Sequence, residues 1–232
     1  MLSRTEENYL KGLLHCTILA GKTGVGTNEL ASLLAVKPAT VSDMLKKLRE
    51  KELVEYEKYG KISLTIEGRK SGMEVIRKHR LWETFLYEKL NFSWDEVHEV
   101  AEQLEHIQSS KLIDSIDKLL DFPKFDPHGD AIPTKEGDIS IPFSRLLSEI
   151  ELAVPSKIIA VKDNSSSFLQ YADKIGITIG QELTVIHREE FDQLMTLKIG
   201  KSTKVISEKF AENIFVLTKG DKGFYSKSPS SL

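Results

Sequence analysis

The chain has 232 residues, of which 40% are hydrophobic and 29% charged, and a formal net charge of -3; these values fit a globular protein of one large domain or two to three small ones. A single cysteine, Cys16, excludes an intramolecular disulfide framework and a cysteine-based zinc knuckle. No run approaches the roughly eighteen apolar residues of a membrane span, and no basic region followed by an apolar stretch opens the chain, so a cytoplasmic protein without a membrane partner is expected.

The charge is unevenly spread. Residues 1–70 carry 12 Lys and Arg against 9 Asp and Glu, residues 71–150 carry 9 against 16, and residues 151–232 carry 11 against 10. The front is therefore the part suited to a polyanion, and the acidic middle is suited to cations.

In chain order, Ser3 and Glu6 have the spacing of a capping box, opening a helix whose apolar positions Leu10, Leu13, Leu14 and Ile18 recur until Gly21 and the glycines at 24 and 26. Thr27 is expected to cap a short second helix bearing Leu30, Leu33 and Leu34. After a three-residue turn, Pro38 suits the first position of a third helix ending near Lys51. Helix, short turn, helix is the pattern of a helix-turn-helix. In the third helix Val41, Met44, Leu45 and Leu48 form the apolar stripe, which leaves Pro38, Ala39, Thr40, Ser42, Asp43, Lys46 and Lys47 on other faces. Small and polar side chains of that kind suit a major-groove reader. Thr40, Ser42 and Asp43 are candidates for base edges, and Lys37, Lys46, Lys47, Lys58 and Lys61 for phosphates, with affinity expected to fall as salt rises. Residues 53–57 and 62–66 flank a basic tip and read as a β-hairpin wing.

A long amphipathic segment follows from about residue 67 to 90. Ser93 and Glu96 form a second capping-box pair ahead of a helix carrying His98 to His106, and a further helix near residues 110–121 stops at Pro123. Residues 122–155 hold five prolines and, apart from a short amphipathic piece around Phe143 to Ile150, little periodicity, which reads as connecting chain. Beyond it, residues 157–161, 182–187, 193–199 and 214–217 are β-rich, as in a small barrel.

At about 100° per residue, His98, Glu102, Glu105 and His106 fall within roughly a quarter turn of one helix face. His79 and Glu83 form a similar pair on the preceding helix. Imidazole and carboxylate donors without a thiolate favour Mn²⁺ or Fe²⁺. The bland alternative is a solvated acidic face, because Val97, Val100, Leu104 and Ile107 lie on the other side. His15 and His187 have no carboxylate at helical spacing and read as structural, and His128 falls in the proline-rich connection. Other readings are a winged-helix regulator sensing an organic ligand, an adaptor whose barrel docks a protein, and a metallohydrolase. Against the last, the chain lacks a His-Glu-x-x-His element and a glycine-rich phosphate loop.

The segments 6–10, 38–42, 77–83, 97–106 and 125–133, the last reading Phe-Asp-Pro-His-Gly-Asp-Ala-Ile-Pro, together resemble the diphtheria toxin repressor family of metal-dependent transcriptional repressors, in its manganese-responsive branch. The resemblance implies a mainly α front two thirds with a small C-terminal SH3-like β-barrel. It divides the chain into a winged helix-turn-helix domain at 1–70, a helical dimerisation and metal domain at 71–140, a linker at 141–155 and the barrel at 156–220. It further implies a homodimer on palindromic double-stranded operator DNA, no organic substrate and no catalysis. Two Mn²⁺ (or Fe²⁺) sites per subunit are implied, one using Asn8, Glu102, Glu105 and His106, the other His79, Glu83, His98 and oxygen ligands from the barrel. Asn8 and Glu102 depart from the sulfur ligands of the iron-responsive members. Lys11 departs from the Glu that some binuclear manganese members carry.

Overall fold

The structure is a computed structural model that describes residues 2–19, 22, 24–56, 60–221 and 223–228. Helix α1 (Arg4–Leu14) is opened by the expected capping box: Glu6 donates its backbone N–H to the Ser3 hydroxyl, and Ser3 donates its own to the Glu6 carboxylate. A π-helical turn (His15–Leu19) continues it. Helix α2 (Thr27–Leu33) starts one residue earlier than expected: Gly26 holds the cap position, no side chain caps there, and Thr27 lies inside the helix. Helix α3 (Pro38–Glu50) has Pro38 in its first turn, where the missing N–H costs nothing. Strands β1 (Val54–Tyr56) and β2 (Ile62–Leu64) pair antiparallel, and Val25 bridges to Ile62 as a partial third strand. The expected tip at Lys58 lies outside the described residues.

Helix α4 (Ile66–Leu90) is the spine. Its 25 residues span about 37 Å at 1.5 Å per residue. Thr65 caps it by accepting from Gly68 N–H, and Gly68 is required because a Cβ there would stand 1.9 Å from the Leu53 carbonyl oxygen. The first half of α4 contributes Met73 and Ile76 to a core with Leu10, Leu13, Val41, Leu45, Leu48 and Ile62. Its second half contributes Leu81, Trp82 and Leu86 to a separate core with Val97, Ala101, Ile113 and Ile116. Those last residues come from α5 (Val97–Leu104) and α6 (Ser110–Leu119). Ser93 and Glu96 do bond to each other, but as a turn ahead of α5 and not as its cap.

Residues 124–132 form a strap, closed by a bridge between Phe125 and Ala131. One Asp126 carboxylate oxygen accepts the backbone N–H groups of His128 (2.8 Å) and Asp130 (3.0 Å). Gly129 has φ +86°, and a Cβ on it would lie 2.0 Å from the Ile159 carbonyl oxygen. Val161 N–H donates to the His128 carbonyl at 3.0 Å, which stitches the strap to the C-terminal sheet.

That sheet is antiparallel and six-stranded, in the order β4 (Arg145–Leu146), β9 (Ile214–Thr218), β5 (Pro155–Val161), β6 (Glu182–Arg188), β7 (Met195–Ile199), β8 (Ser202–Ile206). Helices α7 (Ser166–Lys174) and α8 (Glu208–Ala211) help cover its core of Ile158, Leu183, Val185, Met195, Leu197 and Val216. The stretch expected as linker is more ordered than its prolines imply. It contributes β4, a 3-10 turn (Leu147–Glu149) and the buried Leu147 and Ile150, while β3 (Ile139–Pro142) pairs with β10 (Phe224–Lys227). Strand patterns two to four residues long fall below what a period of two can signal.

Candidate metal centre and DNA-facing helix

One turn of α4 presents His79 and Glu83 to α5 and the strap, and both are buried. His79 Nε2 lies 2.9 Å from Glu83 Oε1, and His79 Nδ1 lies 2.6 Å from Glu105 Oε2. His98 Nδ1 is 3.1 Å from the same Glu83 oxygen, and its ring meets the His79 ring edge-on at 4.9 Å between centroids. From the strap, His128 Nδ1 reaches 3.8 Å from Glu83. Among the described residues two triads bring their ligand atoms within 4.8 Å of one another: His79, Glu83 and His98, and Glu83, Asp126 and His128. Glu83 is common to both.

The charges explain one another. Burial disfavours a charged His79 ring, but hydrogen bonds to Glu105 and Glu83 outweigh it and raise the pKa. Burial likewise opposes ionisation of Glu83, yet its bonds to His79 and His98 bring it well below the usual carboxylate range; Glu105 is lowered against burial by His79 and Lys11. Asp126 behaves oppositely: burial, with the charges of Asp130 and Glu83 beside it, pushes its carboxyl well above the usual range despite Arg80.

A divalent cation fits this donor set. Asp126 Oδ2 and His128 Nδ1 are buried with no hydrogen-bond partner among the described residues, whereas the other His128 nitrogen bonds the Trp94 carbonyl oxygen at 2.7 Å. Buried polar atoms are nearly always satisfied, so two orphans beside an ionised carboxylate point to a ligand. Oxygen and imidazole donors without sulfur suit Mn²⁺ or Fe²⁺; Cys16 is buried in the core of the front domain.

A second knot ties α1 to α5. Glu7 Oε2 is 2.5 Å from His106 Nδ1, and Glu7 Oε1 accepts from Gln108 (2.6 Å) and Lys78 (3.5 Å). One helical turn on, Lys11 Nζ donates to Glu105 Oε2 at 2.7 Å and lies 3.2 Å from His79 Nδ1. The front domain thus contributes one acid and one base to the same cluster.

Seven residues were expected to bind metal. Five of them, His79, Glu83, His98, Glu105 and His106, lie in this connected cluster. Glu102 sits at its rim with its side chain 56% exposed, 3.6 Å from His98 Nε2 and 3.9 Å from Lys11 Nζ. Asn8 is a correction. It is exposed, and the inward position of α1 is taken by Glu7. With Leu10 and Leu14 setting the buried side of α1, Asn8 points about 160° away from Leu10, while Glu7 lies about 60° from it. His128 is a second correction, because it is fully buried in the cluster rather than part of a loose connection. The expected grouping of Asn8, Glu102, Glu105 and His106 around one point is therefore not formed. Glu7, Lys11, Asp126 and His128 are the participants that sequence reasoning missed; for the last two, the Asp-Pro-His-Gly motif was the available signal.

On α3, Val41, Leu45 and Leu48 are buried, while Pro38, Ala39, Thr40, Asp43, Lys46 and Lys47 are exposed together with Lys37 and Lys61. Ser42 is half-buried and donates to the Pro38 carbonyl, and Lys46 lies 3.4 Å from Asp43. The helix therefore offers a polar outer face, with Pro38 to Thr40 at its start.

Three family profiles tile the chain: the N-terminal DNA binding domain of iron dependent repressors over residues 1–62, their metal binding and dimerisation domain over 65–134, and the FeoA domain over 145–217. A solved structure of a manganese-dependent transcriptional repressor in complex with manganese is 34% identical, with TM-score 0.80 over 92% of this chain and 99% of that one. The chain belongs to the iron-dependent repressor family. Among other family relatives, the HTH-type transcriptional regulator MntR of Geobacillus kaustophilus is 35% identical over 116 residues, half of this chain and 80% of that protein. A probable metal transport system membrane protein of Chlamydia trachomatis is 38% identical over 73 residues, but the match spans only 16% of that longer protein. The C-terminal sheet is the FeoA-type, SH3-like unit of this family architecture.

Proposed function

We propose that this family member represses transcription by binding double-stranded operator DNA as a homodimer when its cluster holds a divalent cation, Mn²⁺ in preference to Fe²⁺. The observation that carries the reading is the charged knot joining α1 of the DNA-reading part to α4, α5 and the strap: Glu7 with His106, Lys11 with Glu105, and Glu105 with His79. In this reading three units act together: a DNA-reading part at residues 1–70, a pairing and metal part at 71–140 and the C-terminal sheet from β4 onward.

One ion would be held by Glu83, Asp126 and His128 with His79 and His98 adjoining, and a second by Glu105 and His106 with Glu102 and Glu7. A bound cation would supply positive charge shared between carboxylates of different domains. Glu7 and Lys11 orient α1, and therefore the α2–α3 pair packed on it, against the dimerisation part. Asp126 and His128 bring the strap and the C-terminal sheet to the same point. Thr40, Ser42 and Asp43 would read base edges in the major groove, with Lys37, Lys46, Lys47 and Lys61 on phosphate. Since the ion must favour the DNA-competent arrangement, DNA must tighten its binding by the same factor, typically about 5- to 150-fold.

The test is selection of duplexes from a random pool at buffered free Mn²⁺, then gel-shift titration of the winning duplex. Binding should require Mn²⁺, and Glu83→Gln and Glu105→Ala should each weaken it by about 10- to 100-fold. Equal DNA affinity with and without chelator would overturn the reading.

A further inference from the structure

We propose that Lys11 is a tethered cation, lodged among the cluster's acids so that it holds α1 to α5 in the metal-free protein and competes with a divalent ion for the same carboxylates. The inference rests on the metal-site reading and deepens it. Lys11 Nζ stands 2.7 Å from Glu105 Oε2, 3.2 Å from His79 Nδ1 and 3.9 Å from Glu102 Oε1. Two carboxylates and an imidazole thus converge on one ammonium, as they would on a metal ion. The Glu105 side chain is 2% exposed and that of Lys11 is 22% exposed, so the acid is desolvated while the base still has a path to water.

The placement is built by the helix rather than by chance approach. Glu7 and Lys11 are four residues apart on α1 and share a face. Glu7 meets His106, Lys78 and Gln108, and Lys11 meets Glu105 and His79, so α1 offers an acid and a base in register with complementary partners. The positive charge that Glu105 needs in order to stay ionised while buried comes from the chain itself. Any cation drawn to Glu102 and Glu105 meets that charge first, and like charges at this distance in a poorly hydrated site repel strongly. Lys11 has four methylenes and a partly open surroundings, so its head can swing to solvent while its stem stays on the helix. Loading of this site therefore exchanges one cation for another, and the front domain is latched before and after the exchange. In that arrangement Lys11 sets the ion concentration at which the exchange occurs.

Full-length wild type, Lys11→Met and Lys11→Arg are titrated with Mn²⁺ by calorimetry at constant ionic strength, and the metal-free proteins are melted. Lys11→Met keeps the stem and loses the charge; it should bind Mn²⁺ about tenfold more tightly at one site and melt earlier without metal. Lys11→Arg should stay near wild type in both. If wild type binds Mn²⁺ and Lys11→Met binds it no more tightly, the competitor role is wrong while the metal-site reading stands. If wild type takes up no Mn²⁺, both fall. An unchanged metal-free melting point in Lys11→Met would also overturn the latch.

Discussion

At Asp126 the interests of folding and of ion binding oppose each other. Its carboxyl is fully buried, one oxygen accepts two backbone N–H groups and the other has no hydrogen-bond partner, only the Arg80 guanidinium at 3.7 Å. Burial and the neighbouring acids hold its pKa above the ordinary value of 3.8. A raised acid binds its proton more tightly folded than unfolded, so its cost to stability is absent below pH 3.8 and grows as pH rises from there toward the folded-state value. Asp126→Asn keeps an acceptor for both N–H groups and removes the charge. Metal-free Asp126→Asn should therefore melt above wild type at pH 7 and match it near pH 3.5, while calorimetry shows weaker Mn²⁺ binding. A loss of melting temperature at pH 7 would contradict this. The same residue marks the limit of sequence reading, because nothing periodic in residues 124–132 announces that the strap lies under α4. Asn8 was implied only by the family resemblance, and the stripe of Leu10, Leu13 and Leu14 places it on the far side of α1, where the structure leaves it exposed.

Among the elements, those whose signals are local were legible: the capping box at Ser3 and Glu6, Pro38 opening α3, and the stripe of Val41, Leu45 and Leu48. The strap and the short strands β3, β4 and β10 were not, since the strands' partners lie far along the chain and tertiary pairing determines them. The strap nonetheless carries a sharp requirement. Gly129 combines a left-handed φ with a backbone approach that leaves no room for a Cβ. Gly129→Ala should break the bond from Val161 N–H to the His128 carbonyl, visible as faster hydrogen exchange at the Val161 amide. The front-domain amides of Leu13 and Leu45 should keep their protection. Unchanged exchange at Val161 would mean that the strap tolerates the shift.

For the whole molecule, helix α4 serves two cores without interruption, and the C-terminal sheet joins them through a strap, through Trp94 packed against its core, and through polar contacts such as Gln170 with Asp95 and Ser166 with the Asp95 carbonyl. That division matters for a protein proposed to work as a pair on DNA, because the reading and pairing parts must keep a fixed mutual geometry. Exposed apolar side chains at Leu112, Leu119 and Phe122 lie on the outer side of the pairing part. An unbroken rod offers proteases no joint, whereas the residues between α6 and β5 include exposed positions such as Asp121, Lys135 and Glu151. Brief digestion without metal, followed by mass spectrometry, should clip there first and release the back third while the front stays in one piece. Added Mn²⁺ should slow that clipping, because Asp126 and His128 would then be fastened at the point where the chain turns toward its last module.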